Sequence, residues 1–249
     1  MFERSLKCRC TEHVNHFSKG SKTSQFFIPE AKPHYAPDRF VDVEHIKLDI
    51  SVDLPTKTLK GVCTTTFRVV APSVEKITFD AIDLVVEKVI DATGAELKFD
   101  RQPEKLVVYL KKPAVANDHS HVEMHYHVTE PRAGLYFIAP DKDYPNRPWQ
   151  LWTQGQDQDN RYWIPCHDSP NEKAASEMTI TVDERFTAVS NGKLIENKHD
   201  TAAKKKTFHW KQMIPHSSYL ITLCVGEFVA IKESWKDSKG REIPVTFYT

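Results

Sequence analysis

The sequence predicts an all-β fold, with antiparallel sheets forming an extended, saddle-like sandwich, on three observations. Apolar and polar residues alternate along short segments, turn signals separate those segments, and no stretch carries the 3.6-residue period of a long amphipathic helix. A chain of 249 residues is long enough to bury a substantial core without disulfide or metal staples.

Residues 1 to about 40 are polar and rich in Lys, His and Ser. They end in a stretch holding Pro29, Pro33 and Pro37, which favours an extended N-terminal arm over a helix. The β domain is expected to fill residues 41–249. From His45 the period becomes two: Ile46, Leu48, Ile50, Val52 and Leu54 point one way, Lys47, Asp49, Ser51 and Asp53 the other. Pro55 and a lysine-bearing turn end this strand, and Gly61–Val70, rich in Thr and Val, is suited to pair with it as a hairpin. Further strands are read at Lys76–Phe79, Leu84–Ile90, Lys105–Leu110, Val122–Val128, Met178–Val182, Thr187–Ser190, Thr207–Lys211, Tyr219–Ile231 and Ile243–Tyr248. Turns around Gly94, Asn117, Gly192 and Gly240 separate many of them. Between Pro131 and Pro170 the alternation gives way to Pro140, Pro145, Pro148, Trp149, Trp152 and Trp163. A long irregular segment inside a compact domain is usually functional or an interface, and indole rings suit that role because they bury area while keeping a donor.

Charge is balanced, 34 basic against 34 acidic residues, which gives no global pull toward nucleic acid or an anionic membrane. Five cysteines, an odd number in a chain this long, favour a reducing compartment over a disulfide framework. Residues Met1 to Cys8 lack the apolar core of a secretory signal, and no apolar run approaches the ~20 residues of a membrane span. A cytoplasmic protein without nucleic-acid or membrane partners is expected.

The densest chemistry lies in Thr153–Pro170, which holds Gln154, Gln156, an acidic cluster, Arg161 and a Pro165-Cys166-His167-Asp168-Ser169-Pro170 turn. Prolines hold such backbone rigid while amides and carboxylates face something polar. The alternative is a structural loop braced by its own ions. Arg161, Pro165, Cys166, Asp168 and Pro170 are read as structural, with Arg161 and Asp168 forming a bidentate pair. Cys166 is read as a small buried thiol, because neighbours in an extended segment point apart and no third group orients a base. His119, His121, His125 and His127 share one strand face, opposite Val122, Met124, Tyr126 and Val128. Imidazoles so spaced can bind a metal, but alternation already accounts for them as a solvent-facing polar stripe. Cys8, Cys10, His13 and His16 fit no structural zinc spacing. No metal site is expected within the chain.

The segment resembles the signature of the zinc aminopeptidase family that includes aminopeptidase N and leukotriene hydrolase. The likeness rests on Thr153, Gln154, Gly155, Gln156, Arg161, Ile164, Pro165, Cys166, Asp168 and Pro170. It continues through Asn171–Val182 and Pro215–Phe228, and covers roughly Val43 to Thr249. In that family this region is an N-terminal β-saddle lying against a catalytic domain. The family's zinc site needs His-Glu-x-x-His, which places two imidazoles and a glutamate base on one helical turn; that motif is not in this sequence. The resemblance therefore implies zinc held outside these residues and no catalytic residue within them. It implies two partners, a peptide's N-terminus and the enzyme's own catalytic domain. By the same resemblance Gln154 lines the first specificity pocket and Gln156 helps hold the free α-amine. An amide carbonyl there replaces the stronger, charged acceptor that a glutamate offers. The resemblance also leaves an alternative, a non-catalytic interaction scaffold on the same saddle.

Overall fold

The computed structural model describes residues 36–249. The expected arm up to residue 35, with Cys8, Cys10, His13 and His16, lies outside the described residues. Sixteen strands follow: β1 (Val41–Asp53), β2 (Thr58–Val69), β3 (Ser73–Asp80), β4 (Val85–Asp91), β5 (Phe99–Arg101), β6 (Lys105–Val115), β7 (His119–Thr129), β8 (Leu135–Ile138), β9 (Gln150–Thr153), β10 (Lys173–Asp183), β11 (Thr187–Ser190), β12 (Lys193–Asp200), β13 (Lys205–Ser217), β14 (Leu223–Gly226), β15 (Ala230–Lys236) and β16 (Glu242–Tyr248). Short 3-10 helices at Asn160–Tyr162 and Ser218–Leu220 are the helical elements among the described residues. The all-β expectation holds.

The strands form a seven-stranded sheet in the order β12-β13-β10-β1-β2-β7-β4, a four-stranded sheet β11-β14-β9-β8, a three-stranded sheet β3-β6-β5 and the hairpin β15-β16. The first two strands pair as the expected hairpin, Leu48 opposite Cys63. One ladder departs from the antiparallel expectation: β1 runs parallel to β10, with Leu48 beside Met178. Parallel neighbours need a long crossover, and the chain between Asp53 and Lys173 supplies it by building three other strand groups on the way.

Alternation dictates which face is buried. On β7, Val122, Met124, Tyr126 and Val128 are buried, while the residues between them stay half-exposed. Leu48 and Ile50 of β1, Leu59 and Phe67 of β2, and Ile180 and Val182 of β10 join the same core. Ile77 and Phe79 of β3 with Leu106 and Val108 of β6 cover it from the three-stranded sheet. Burying each such side chain contributes on the order of 1.5–3 kcal/mol.

Several sequence expectations change. The segment read as one strand over Tyr219–Ile231 is a 3-10 turn, then β14, then a short link in which Val229 already pairs main chain to main chain with Thr249, then β15, because the chain leaves one sheet after Gly226 and starts a new hairpin. The irregular stretch 131–170 contains β8 and β9, which pair with each other. Met178–Val182 is the end of a longer β10, and β5 and β12 had no legible signal. β12 is exposed at nearly every position and pairs only with β13, so main-chain hydrogen bonds rather than an apolar stripe define it. The β15–β16 hairpin pairs Ile231 with Phe247 and Trp235 with Ile243, all four exposed.

Candidate functional site

The loop after β9 is positioned by close backbone approaches. Gln154 N–H donates to the Gly134 carbonyl at 3.0 Å, extending the β8–β9 ladder by one step. Gly134 has φ +76°, and a Cβ there would lie 2.0 Å from the Asp159 carbonyl oxygen. Only glycine accepts both the left-handed backbone and that contact. A Cβ on Gly155 would lie 2.6 Å from Asn160 Oδ1 and 2.7 Å from the Tyr219 carbonyl oxygen. Asn160 is buried beneath the loop. Its Nδ2 donates to the Ser218 carbonyl, and its Oδ1 accepts from Trp163 Nε1 at 2.9 Å. An amide satisfied on both sides in a buried site fixes its surroundings strongly.

Beyond it, Asp168 is wholly buried. Its Oδ2 accepts from the Arg161 backbone N–H at 3.0 Å and from Arg161 Nε at 3.3 Å, and Oδ1 accepts from Ser218 Oγ at 2.9 Å. The expected bidentate pair is not what forms. Arg161 Nη2 donates to the Asp168 main-chain carbonyl at 3.2 Å, and Nη1 lies 3.6 Å from Asp80 Oδ1. The guanidinium thus spans a carboxylate, a carbonyl and a second acid, because the turn brings the Asp168 backbone within its reach. Asp80 also accepts from the Asp168 N–H at 3.0 Å and pairs with Lys105. Burial pushes the Asp168 carboxyl above its ordinary range, against the opposing pull of Arg161 and Ser218.

Cys166 pairs main chain to main chain with Asp80, N–H to carbonyl at 3.1 Å and 2.7 Å in the two directions. Burial pushes its thiol well up from the ordinary thiol range. Burial likewise holds Cys63 up at about 12. Pro165 is buried with them, and Pro170 is exposed at the rim. His167 packs on Phe79 with ring centroids 5.2 Å apart, and burial drives its pKa down to about 4.

Gln154 and Gln156 are both exposed. Gln154 lies two residues beyond Trp152, so pleating puts both on the outer face of the four-stranded sheet. That face carries a row unseen in the sequence: Val189, Cys224, Trp152 and Tyr136 are cross-strand neighbours on β11, β14, β9 and β8. Trp152 and Tyr136 stack at 4.7 Å and 23°, and Trp152 remains 41% exposed. Finding the row needs the register of four strands, two of them inside the segment taken as irregular. A cleft of about 850 Å³ lies elsewhere, lined by Arg39, Lys105, Tyr109, His167 and Glu172, and neither glutamine touches it.

The histidine stripe shares one face of β7 as read, but it is partly covered rather than freely solvated. His119 contacts Glu44 at 3.1 Å and His127 contacts Glu87 at 2.8 Å across strands. His125 Nε2 is buried without a hydrogen-bond partner among the described residues. No group of three or more His, Cys, Asp and Glu among the described residues is arranged to hold a metal ion.

Together these features define a β-sheet domain with an exposed aromatic row on its four-stranded sheet and, after β9, a loop braced by Asn160, Arg161 and Asp168. The profile of the peptidase M1 N-terminal domain matches residues 33–220, and the chain belongs to that family. Among curated proteins it is 33% identical over 109 residues to transcription initiation factor TFIID subunit 2 of Gallus gallus, covering 43% of this chain and 9% of that protein. It is 24% identical over 245 residues to aminopeptidase 2, mitochondrial, of Saccharomyces cerevisiae, covering 96% of this chain and 25% of that one. Aminopeptidase B of Rattus norvegicus is 31% identical over 132 residues, 53% of this chain and 19% of that protein. An M1 zinc metallopeptidase structure from Deinococcus radiodurans superposes with a TM-score of 0.71 at 20% identity, covering 84% of this chain and 47% of that one, a likeness of fold. The chain thus spans a quarter or less of these curated relatives.

Proposed function

We propose that this chain is the substrate-positioning N-terminal domain of a zinc aminopeptidase, which removes the first residue of a peptide. An exopeptidase must hold the charged α-amine so that only the first peptide bond is presented for cleavage. The observation that carries this reading is that Gln154 and Gln156 both stand exposed on one short loop whose base is fixed by Asn160, Arg161 and Asp168. In this reading the Gln156 side-chain carbonyl accepts a hydrogen bond from the α-ammonium and Gln154 flanks the first side chain. Zinc, held by residues outside this chain, would supply a Lewis acid and an activated water. The partners are then a peptide N-terminus and a catalytic domain. A cytoplasmic setting is supported by the free thiols of Cys63, Cys166 and Cys224. The chain alone is expected to show no turnover of amino-acyl chromogenic substrates with added zinc; chelator-sensitive turnover by the purified chain would sink the proposal. A second reading, a non-catalytic scaffold, is favoured by the likeness to TFIID subunit 2. It is distinguished by peptide binding: a scaffold gains nothing from a free α-amine, so N-acetylated and free peptides would behave alike.

A further inference from the structure

Strand β3 lies at the border of the three-stranded sheet, with β6 on one side of it. At its end Asp80 turns both main-chain groups away from β6 and exchanges them with Cys166 at 2.7 Å and 3.1 Å. Antiparallel pleating sends the main-chain groups of every second residue to the same side, so those of Thr78 and Lys76 point there as well. The His167 imidazole takes the Thr78 carbonyl. The Thr78 N–H and both main-chain groups of Lys76 find no main-chain partner on that side among the described residues. An open strand edge of this kind is a template for one more strand.

The cleft of about 850 Å³ lies along this edge, lined by residues 73–78 of β3 and by residues 37–41 ahead of and into β1. Neighbouring strands lie ~4.8 Å apart, stacked layers ~10 Å, and the rise is ~3.3 Å per residue, so one strand residue fills about 160 Å³. The cleft therefore holds about five residues of a single extended chain, which matches the six residues of β3 that line it. Its side chains narrow the class further. Lys105 is already paired with Asp80, and Arg39 with Asp42 and Glu172, whereas exposed Lys76 enters no ion pair among the described residues. Phe40, 58% exposed, offers an apolar ring.

We infer that the open edge of β3 is a docking site for an extended segment of a partner polypeptide. The segment is about five residues long, alternates β-branched apolar with polar side chains, and carries an acid opposite Lys76. Thr78 and Lys76 hold its main chain, and the charge of Lys76 sets its register, since opposite charges on facing strands attract. Room for a single strand admits this partner while blocking open-ended sheet growth. The inference stands apart from the reading of Gln154 and Gln156, neither of which lines the cleft.

The test follows the backbone amides of the 15N-labelled full chain while acetyl-Thr-Val-Glu-Val-Thr-amide is added. Both ends of this probe are capped, so it offers no α-amine. The Lys76 and Thr78 amides should shift and gain protection from hydrogen exchange. N-methylation of the probe's glutamate, whose N–H faces β3, should weaken binding about tenfold. N-methylation of a valine, whose N–H faces away, should leave binding unchanged. Lys76→Glu, at an exposed position, should keep the unfolding midpoint, weaken the glutamate probe about fivefold and favour a lysine-centred probe by about the same factor. No shift at millimolar peptide overturns the inference, and so does equal weakening by the two methylations. Protection of both amides before any peptide is added also overturns it: loss on dilution assigns the edge to a second copy, and persistence on dilution assigns it to this chain itself.

Discussion

Replacing Asp168 by alanine should loosen the loop that carries both glutamines, and the size of the effect follows from its contacts. The substitution removes the acceptor for Arg161 N–H at 3.0 Å, Arg161 Nε at 3.3 Å and Ser218 Oγ at 2.9 Å. Hydrogen bonds to a charged group are each worth about 1.5–3 kcal/mol. The sum is reduced because the carboxylate is buried at a cost, which is why its pKa stands raised. Arg161 also keeps a second acid, Asp80, at 3.6 Å. Breaking one side of a buried ionic cluster typically costs about 3–5 kcal/mol, and Asp168→Ala is expected in that range. For a domain this long, that lowers the melting temperature by about 6–20 °C. Asp168→Asn keeps the volume and one oxygen to accept from Ser218, so it should cost less. Urea unfolding followed by the fluorescence of buried Trp163 measures both variants. A loss under about 1 kcal/mol for the alanine variant would show that Asp80 alone braces Arg161, and the account of the loop would fail.

Two further outcomes are expected. Burial lowers the His167 pKa from 6.5 to about 4, so between those values the unfolded chain takes up a proton that the folded chain refuses. Stability should therefore fall as pH drops from about 6.5 to about 4, by up to about 3 kcal/mol, and His167→Gln should flatten that slope; an unchanged slope would contradict the assignment. Gly155→Ala places a methyl 2.7 Å from the Tyr219 main-chain oxygen, and overpacking of this kind costs about 1–3 kcal/mol. The variant should melt lower and move the Trp163 indole resonance, and an unshifted resonance would mean that the loop does not press on Asn160.

The strands with a buried apolar face were legible because period-two alternation is written directly into residues such as Ile46–Leu54 and Val122–Val128. Others were not: β12 is exposed nearly throughout, and β8 and β9, though each buries one leucine, are only four residues long and sit among prolines and indoles whose composition imitates a loop. The breadth of β10, from Lys173, was hidden because Ala174, Ala175 and Ser176 are buried together as small residues rather than alternating. At the site, Gln154, Gln156 and the Arg161–Asp168 bracing could be named from the motif. The Asp80 contribution could not, since that residue lies 88 positions away from Asp168 and meets it only through the pairing of β3 with the Cys166 segment. The Trp152–Tyr136 row was likewise a product of register, which no local pattern specifies.

The parallel seam between β1 and β10 sets an order on biogenesis. As the chain leaves the ribosome, β1 can find β2 at once, yet its other edge stays open until residues near Thr181 have been made, a wait of over a hundred residues. Long-range pairing of this kind slows closure and leaves an aggregation-prone margin in the interim. Removing Val41–Asp53 would leave the large sheet as β12-β13-β10 and β2-β7-β4, two halves with no strand to join them. The same strand that starts the domain is its keystone, so proteolysis near the amino end should be far more damaging than at the solvent-exposed β15–β16 ribbon.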